Sequence, residues 1–586
     1  MRQWMVAAKK ADFYVIAEKF HVDPVVARII RNREVIGEKN IRIYLGGNLS
    51  DLSDPHQMKD MDRLVEILAQ KIRKQVRIRI IGDYDVDGVT SSHLFLTALR
   101  RVGAKVDVVI PHRIQDGYGL SLHLLQQAKE DGVDTILTCD NGIAAIDEIA
   151  WAKAQKMTVL VTDHHAVPFE EHEGRRTEKK SLADAVVNPH QQDCGYPYKE
   201  LCGAGVAWNV IRVLYENYDM DKREAEDLLD FVAMATVCDV MSLTGENRIL
   251  VKEGLKRIRH TKNIGLQALM QACNVQPENI SAYHFGYVLG PCVNATGRLD
   301  TARHALRLFE TGQETEAEEI ARDLVDLNQE RKELTLQGVE MAKKLCEEGG
   351  YENDPVLVLF LPDVHESIAG LIAGRIREMY NRPVFVLTRG EEGVKGSGRS
   401  TENYSMYENM CGCAELFTKF GGHPMAAGLS LPEENVEKFR RKINENCPLT
   451  VEEVCPDIHI DMAMPVGYAS TELVHQFALL EPFGKDNPSP LFADRNLSIS
   501  RMWLIGKNRN VLRMSVLSEY GQPVPVIFFG DVETLFAYFT EKFGQEEVEN
   551  ALHGRKNRIL FSMVYTAKID FYQGNENLQL EMKYYR

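Results

Sequence analysis

No run of ~18 or more apolar residues occurs in this sequence, so nothing in it reads as a membrane-spanning helix. Residues 1–10 lack the apolar core of a secretory signal, which sets the expectation of a cytoplasmic protein. Eleven cysteines are scattered without a CxxC pair, and only Cys411 and Cys413 fall close together. That excludes a zinc ribbon and argues for reduced thiols over a disulfide framework. Gly-x-Gly-x-x-Gly is missing from the start of the first α/β helix, so a dinucleotide-binding reading loses its main support. Positive charge is also short: 69 basic against 85 acidic residues leave −16 and a pI of about 5.6. A passive nucleic-acid coat protein would be basic; an enzyme with a local basic channel remains compatible. What is present is an ordinary globular composition, 44% hydrophobic and 26% charged. At 586 residues the chain is too long for one core and predicts two to four domains.

The most informative stretch is Ile80-Ile81-Gly82-Asp83-Tyr84-Asp85-Val86-Asp87-Gly88-Val89-Thr90. A short β-branched run from Val76 to Ile81 reads as a strand, and a helix is expected to begin near Val89. Between them Asp83, Asp85 and Asp87 alternate. One aspartate there would be a turn former; three at alternate positions repel one another unless a cation lies between them. Two later strands end in the same way. Residues 134–138 stop at Cys139-Asp140-Asn141-Gly142, and 157–162 stop at Asp163-His164-His165. In an open parallel sheet the carboxyl ends of strands share one edge, so these groups can converge. Carboxylates with imidazole suit manganese or magnesium better than structural zinc.

Strands expected at 76–81, 106–110, 134–138, 157–162 and 185–187 alternate with helices, the pattern of a parallel doubly wound sheet. Residues 1–60 read as a helical lead-in. Lys71, Arg73, Lys74, Arg77 and Arg79 make a basic stretch, read as a solvated face with phosphate contact as the alternative. Pro111 to Leu120 is a glycine-containing turn whose Arg113 could face phosphate. Residues 170–180 read as an inserted charged loop, 224–236 as a helix leading to Asp239, and 294–299 as a small-residue loop around Arg298. One long helix over 315–349 is expected to connect domains. A second α/β domain follows, with glycine-rich loops at 396–400 and 420–428. Beyond about 456 the pattern turns to strands and predicts a small β-barrel.

Asp83-Tyr84-Asp85-Val86-Asp87-Gly88, Asp140, Asp163-His164-His165 and Asp239 together resemble the four motifs of the DHH phosphoesterase superfamily. Gly421-Gly422-His423 resembles the signature of its companion DHHA1 domain. Asp116-Gly117-Tyr118-Gly119-Leu120, Asn188-Pro189, Leu201-Cys202-Gly203-Ala204-Gly205-Val206, Asn294-Ala295-Thr296-Gly297-Arg298 and Leu480-Glu481-Pro482-Phe483-Gly484 narrow the resemblance. They point to the single-stranded-DNA-specific 5′→3′ exonucleases of that superfamily.

The resemblance implies an α/β fold: a parallel-sheet DHH domain (61–314, after the lead-in at 1–60), a connector helix (315–349), a smaller α/β DHHA1 domain (350–450) and an OB-like β-barrel (456–586). It implies phosphodiester hydrolysis assisted by two divalent ions, Mn2+ or Mg2+, on Asp83, Asp85, Asp87, Asp140, His164 and Asp239. Asp140 would bridge, with His165 as acid or electrostatic stabiliser and Arg298 as a phosphate clamp. Arg113, Asn294, Arg298, Arg399, Ser400 and His423 would bind substrate. Single-stranded DNA would be the partner, with a single-strand-binding protein and a RecQ-type helicase as further candidates in DNA repair and recombination. The alternatives are a nanoRNase or cyclic-dinucleotide phosphodiesterase of the same superfamily, and a non-catalytic DHH-like replication scaffold.

Overall fold

In the computed structural model the apolar runs form the inner strands of a twisted parallel sheet, and the acidic motifs fall at its edge. The structure describes residues 3–586 except 114, 115, 117, 118, 173, 174, 300, 352, 391, 392, 455, 456, 507, 508 and 573. Gly117 and Tyr118 of the Asp116–Leu120 motif therefore lie outside the described residues. Two compact units are formed: Leu52–Met241 with Ile249–Pro456, and Gln3–Asp51 with Ser242–Arg248 and Asp457–Arg586.

In the first unit, β1 (Arg77–Ile81), β2 (Lys105–Val109), β3 (Thr135–Cys139), β4 (Thr158–Thr162) and β5 (Ala185–Val187) pair in the order 2-1-3-4-5, every pair parallel. Ile78, Ile80 and Ile81 are fully buried, as expected of a strand covered on both faces. Three residues of the basic stretch leading into β1 are paired: Lys71 with Asp134, Arg77 with Asp107, and the buried Arg79 with Asp107 and Asp131. These cations hold the amino-terminal edge of the sheet and are not available to phosphate. Order 2-1-3 places the reversal of winding between β1 and β3, where the loops diverge and leave a crevice at their carboxyl ends.

Helix α1 (Val86–Arg101) starts three residues before the expected position, because Asp85 serves as its N-cap and accepts from Gly88 N at 3.0 Å. Helix α2 (Gly203–Asn217) and helix α3 (Leu229–Cys238) pack against it. The expected 224–236 helix is broken into Lys222–Glu226 and α3, and residues 170–180 include an antiparallel hairpin, Phe169–His172 with Arg175–Glu178. Residues 294–299, read as a loop, are the end of helix α4 (Gly290–Leu299). Glycine is present there for closeness: a Cβ on Gly297 would lie 2.5 Å from the Tyr84 carbonyl oxygen.

The long helix α5 (Glu314–Glu348) buries one stripe, including Ile320, Leu324, Val339 and Ala342. It leads to a five-stranded sheet: β6 (Leu357–Phe360), β7 (Val384–Gly390), β8 (Gly393–Arg399), β9 (Lys419–His423) and β10 (Ala426–Leu431), in the order 9-10-8-7-6. Helix α6 (Glu366–Tyr380) covers one face with Ile368, Ile372 and Ile376, and Val436–Glu445 covers the other with Phe439 and Ile443. The glycine-rich segments at 396–400 and 420–428 thus lie largely in strands. Their glycines answer to packing: a Cβ on Gly396 would meet Leu387 Cδ2 at 2.4 Å, and one on Gly398 would meet Met406 Sδ at 2.5 Å.

The second unit is a barrel. Phe492–Ile505, Val511–Leu517, Pro523–Phe528, Asn575–Tyr585 and Leu560–Tyr572 pair in that order, and the first and last pair again to close it. Closure removes the open edges. The helices Val532–Phe543 and Gln545–Leu552, not anticipated from the sequence, fill the connection between two of its strands. The helices of residues 3–51 share this unit's core, where Val26, Ile29 and Ile30 pack with Phe477, Phe492 and Tyr565.

Arg248 pins the unit internally. Its buried guanidinium donates to the carbonyl oxygens of Tyr44, Leu480 and Leu479, each at 2.8 Å, and lies 4.0 Å from the centre of the Tyr44 ring. Arg248→Met would take this donor from the carbonyls of Tyr44 and Leu479, while Leu480 O keeps Asn487 Nδ2 at 2.8 Å, an expected loss on the order of 2 kcal/mol. Urea unfolding reads it as a lower midpoint; an unchanged midpoint would show that those carbonyls find other donors.

Candidate metal centre

Asp83 follows β1, Asp140 follows β3, and Asp163-His164-His165 follow β4, so three strand ends deliver their polar residues to the same crevice. Asp85 and Asp87 sit in the cap and first turn of α1, and Asp239 is the residue after α3. Three sets of potential donor atoms each lie within 4.8 Å of one another: Asp83, Asp85 and Asp140; Asp87, His164 and Asp239; Asp140, His164 and His165. Asp140 belongs to two of them.

Each group is held by backbone. Asp87 accepts from Gly203 N at 2.6 Å and Ala204 N at 2.7 Å, the first amides of α2. Gly203 is required at that approach, since a Cβ would lie 2.6 Å from the Asp140 Cβ. Gly88 allows the chain to fold back on Asp83, whose N and O would each be 2.5 Å from an added Cβ. Asn141 ties β1 to β3 by donating to the carbonyls of Ile81 and Cys139 at 3.0 and 2.9 Å. Asp140 itself has φ +61° and Val240, next to Asp239, φ +55°. A β-branched residue in the left-handed region is a strained one, and both positions flank the crevice.

Burial is severe. Asp83, Asp87 and Asp140 are 1–2% exposed, and Asp83 Oδ1 is buried without a hydrogen-bond donor. Desolvation, then the neighbouring carboxylates, push the carboxyl groups of Asp83, Asp85 and Asp140 above the usual range. His164 Nε2 points at three carboxylate oxygens, Asp140 at 3.1 Å, Asp239 at 3.6 Å and Asp87 at 3.7 Å, while burial pushes its protonation down. Neutral imidazole and hard carboxylate oxygen are the donor forms that Mn2+ or Mg2+ takes. An uncompensated buried oxygen among like charges fits a cation better than it fits any protein group on hand.

Asp163, not singled out as a site residue from the sequence, has a different task. Its carboxylate accepts from Ile143 N, His164 N, His165 N and His165 Nδ1 at 2.7–3.0 Å. Burial alone would lower the His165 pKa, but the Asp163 hydrogen bond and the charges of Asp163, Asp239 and Asp87 outweigh it and raise it to about 9. His165 is half-buried and turned to the opening.

Beside this acidic centre lies a group of arginines. Arg298 Nη1 donates to Ser367 O at 2.6 Å, and burial, with Arg113, Arg331 and Arg399 nearby, pushes its pKa down to about 9. Arg399 donates to Gly398 O at 2.7 Å and is lowered for the same reasons, by burial and then by Arg113 and Arg377. Arg113 lies 4.9 Å from the Tyr84 ring centre. Among the described residues no carboxylate pairs with Arg298 or Arg399. With Tyr84, Arg113, Ser367 and Ser397 on its walls, a groove of about 440 Å³ runs alongside, its floor bared by Gly421 and Gly428.

Three expected substrate contacts are placed otherwise. Asn294 Oδ1 accepts from Val86 N at 3.2 Å and so fixes the metal loop. Ser400 is fully buried, its hydroxyl given to Tyr404 O at 2.6 Å, and Ser397 faces the groove in its place. Strand alternation puts Ser397, two residues before Arg399, on the same face, a signal present in the sequence. His423 is exposed in register with Ala426 and, across it, Arg399, but it is not part of the groove wall.

Comparison with known proteins agrees with this architecture. Residues 77–236 match the DHH family N-terminal domain, 353–447 the DHHA1 domain and 460–584 the RecJ OB domain. The single-stranded-DNA-specific exonuclease RecJ of Haemophilus influenzae is 32% identical over 582 residues, covering 96% of each chain. The enzyme of that name from Bacillus subtilis is 33% identical over 511 residues, 86% of this chain and 63% of that one. Among solved structures, RecJ in complex with Mn2+ from Thermus thermophilus superposes with a TM-score of 0.81 at 25% identity, over all of this chain and 79% of that one. A second, an exonuclease RecJ bound to manganese, gives 0.57 at 32% identity, over 66% of this chain and 94% of that one.

The raised carboxyls tie stability to pH and to metal. A carboxyl whose native pKa is raised above its unfolded value near ~3.9 stabilises the fold below that value and loses this contribution as pH rises through the native value. The metal-free protein should therefore lose stability at this site as pH rises above ~4, and the rise in Tm on adding Mn2+ should grow in the same direction. A Mn2+ shift that is flat with pH in calorimetry would detach these carboxyls from metal binding. Gly88→Ala should push Asp83 out of place and weaken Mn2+ binding on the order of tenfold or more, read by titration calorimetry.

Proposed function

The chain belongs to the RecJ family, and from that premise we propose that it is a metal-dependent exonuclease hydrolysing single-stranded DNA from the 5′ end to 5′-mononucleotides. The observation that carries the proposal is the convergence of Asp83, Asp85, Asp87, Asp140, His164 and Asp239 in one crevice beside Arg113, Arg298 and Arg399, the last two of which pair with no carboxylate among the described residues. Asp83, Asp85 and Asp140, with Asp87, His164 and Asp239, would hold two divalent cations, Mn2+ or Mg2+. When bound, such a pair activates water and neutralises the charge that grows on phosphate.

The remaining steps belong to side chains of this protein. Arg298, Arg399 and Arg113 attract the phosphate backbone and fix its register, with Ser397 as a hydroxyl donor. His165, charged at neutral pH and oriented through Nδ1 by Asp163, is placed to give a proton from Nε2 to the leaving oxygen. The groove takes a single strand and not a duplex, which accounts for strand selectivity on steric grounds. Within the barrel unit, Trp503 has Arg501 and Arg513 each 5.8 Å from its ring centre, a platform on which a base can stack. The division of labour is a catalytic segment (61–314), a connector (315–349), a DHHA1 segment (350–450) and a nucleic-acid-binding barrel (456–586). A single-strand-binding protein and a RecQ-type helicase as partners, and a cytoplasmic setting, complete the proposal.

The test is digestion of an oligonucleotide labelled separately at each end, with Mn2+ and then with EDTA. Release of mononucleotides from the 5′ end alone, abolished by EDTA, is expected. Cleavage restricted to dinucleotides would assign a small-substrate phosphodiesterase, and binding without cleavage a scaffold. Asp140→Ala should abolish turnover. Arg298→Ala should lower kcat/KM by on the order of 100-fold. His165→Gln should lower kcat by ~100-fold or more while leaving Mn2+ stabilisation in place; a loss of Mn2+ stabilisation would make His165 a ligand instead.

A further inference from the structure

Two sulfurs meet outside the metal centre. Cys273 caps the helix Ile264–Ala272, Cys292 lies in the first turn of α4, and their Sγ atoms are 3.7 Å apart. We propose that Cys273 and Cys292 form an oxidative modification site, a dithiol that hydrogen peroxide converts to a disulfide and a small thiol restores. Its formation disturbs the helix that carries Asn294 and Arg298.

The two cysteines differ in the way such chemistry requires. Cys273 is half-buried and open to a small oxidant, whereas Cys292 is 2% exposed and held in place. Asn328 Nδ2 donates to Cys292 Sγ at 3.3 Å, and Arg331 in turn donates to Asn328 Oδ1 at 2.8 and 3.1 Å. The amide is thereby polarised towards the sulfur. The hydrogen bond from Cys273, with that amide and the charges of Lys332 and Arg331, holds the Cys292 thiol below its ordinary range in spite of burial. Cys273, the donor in that hydrogen bond, is itself pushed up, first by the bond to Cys292 and then by burial, as burial pushes up Cys139, Cys202 and Cys238 around the metal centre; what sets Cys273 apart is a second sulfur 3.7 Å away.

The chemistry balances in two steps. The Cys273 sulfur, on giving up its proton, attacks peroxide; an S–O bond forms as O–O breaks, and hydroxide leaves to become water on protonation. The Cys292 thiolate then attacks the sulfenic sulfur, S–S forms as S–O breaks, and a second water is released. Two thiols are oxidised by two electrons and one peroxide is reduced. The sulfurs must close from 3.7 Å to a bond length of about 2.05 Å. Cys292 lies two residues before Asn294, which holds Val86 N, and six before Arg298, which holds Ser367 O. A displacement of ~1 Å at positioning residues can cost up to ~100-fold in rate.

The experiment uses the full chain, stripped with EDTA so that metal-catalysed oxidation does not intervene. After peroxide treatment, free thiols are alkylated, the peptides are mapped, Mn2+ is restored and digestion of single-stranded DNA is measured. Expected are a Cys273–Cys292 cross-linked peptide, a fall in rate of at least about tenfold, and recovery of both with dithiothreitol. Cys273→Ser should form no cross-link and keep its rate under peroxide. Alkylation of both cysteines after treatment would overturn the modification site, and a cross-link with an unchanged rate would overturn its effect on α4. Only the rate measurement rests on the exonuclease reading: a reduced protein without nuclease activity would sink that reading, while the peptide map still decides the dithiol.

Discussion

The constraint on which the rest depends is the mutual repulsion of carboxylates that the fold drives into one dry crevice. Asp83, Asp87 and Asp140 are almost fully buried, and Asp85 and Asp239 stand against them. Like charges at such separations in a medium of reduced dielectric cannot all be ionised unless something positive joins them. The protein does not relieve the strain with its own cations, although Arg298, Arg399 and Arg113 lie close by. Arg113 lines the neighbouring groove, and Arg298 and Arg399 are held on the carbonyls of Ser367 and Gly398. Instead, backbone amides and bare glycines clamp each acid: Gly203 N and Ala204 N on Asp87, Gly88 folded against Asp83, and Asp140 in a left-handed conformation. The architecture makes sense once a divalent ion supplies the missing charge.

Much of the convergence was legible in the sequence, because several of its acids and histidines follow the ends of β1, β3 and β4, and strand ends are marked by β-branched runs followed by Asp, Asn and Gly. A parallel sheet then brings those ends together without further information. What could not be read were the places where glycine serves packing and not turning. Gly297, Gly396 and Gly398 look like loop residues by composition, yet each stands where a Cβ would strike Tyr84, Leu387 or Met406. Such contacts are tertiary, and no local pattern reports them. The same holds for Ser400, whose hydroxyl is consumed by Tyr404, and for residues 3–51, whose amphipathic helices reveal an apolar face but not the barrel core that covers it.

Net charge was equally uninformative, and for a physical reason. A total of −16 sums over a surface, whereas phosphate responds to the field within about a Debye length of ~8–10 Å. Of the basic residues that cluster in sequence before β1, Lys71, Arg77 and Arg79 are spent on Asp134, Asp107 and Asp131. The arginines that gather in space come from four distant segments, at 113, 298, 331 and 399, and raise the local potential through their proximity to one another. Placing that positive groove against an acidic centre separates the two tasks. In the proposed function the arginines would position an anion without quenching the carboxylates, which keep the charge with which to hold cations.

The two adjacent histidines show how the fold assigns opposite chemistry to identical side chains. Leaving β4, His164 turns into the crevice and His165 towards the opening. Burial holds His164 neutral, with Nε2 directed at three carboxylate oxygens, the form in which an imidazole can donate a lone pair to a metal. His165 is pulled the other way, to about 9, because the Asp163 carboxylate accepts a hydrogen bond from its Nδ1 at 2.8 Å. Asp163 can do this only because its carboxylate is saturated by nitrogen donors and is therefore no competitor for metal. Pairs of titratable groups whose environments drive them apart mark the division between binding and proton transfer. Here the environments part across three consecutive residues: Asp163 saturated by nitrogen donors, His164 held neutral and His165 held charged.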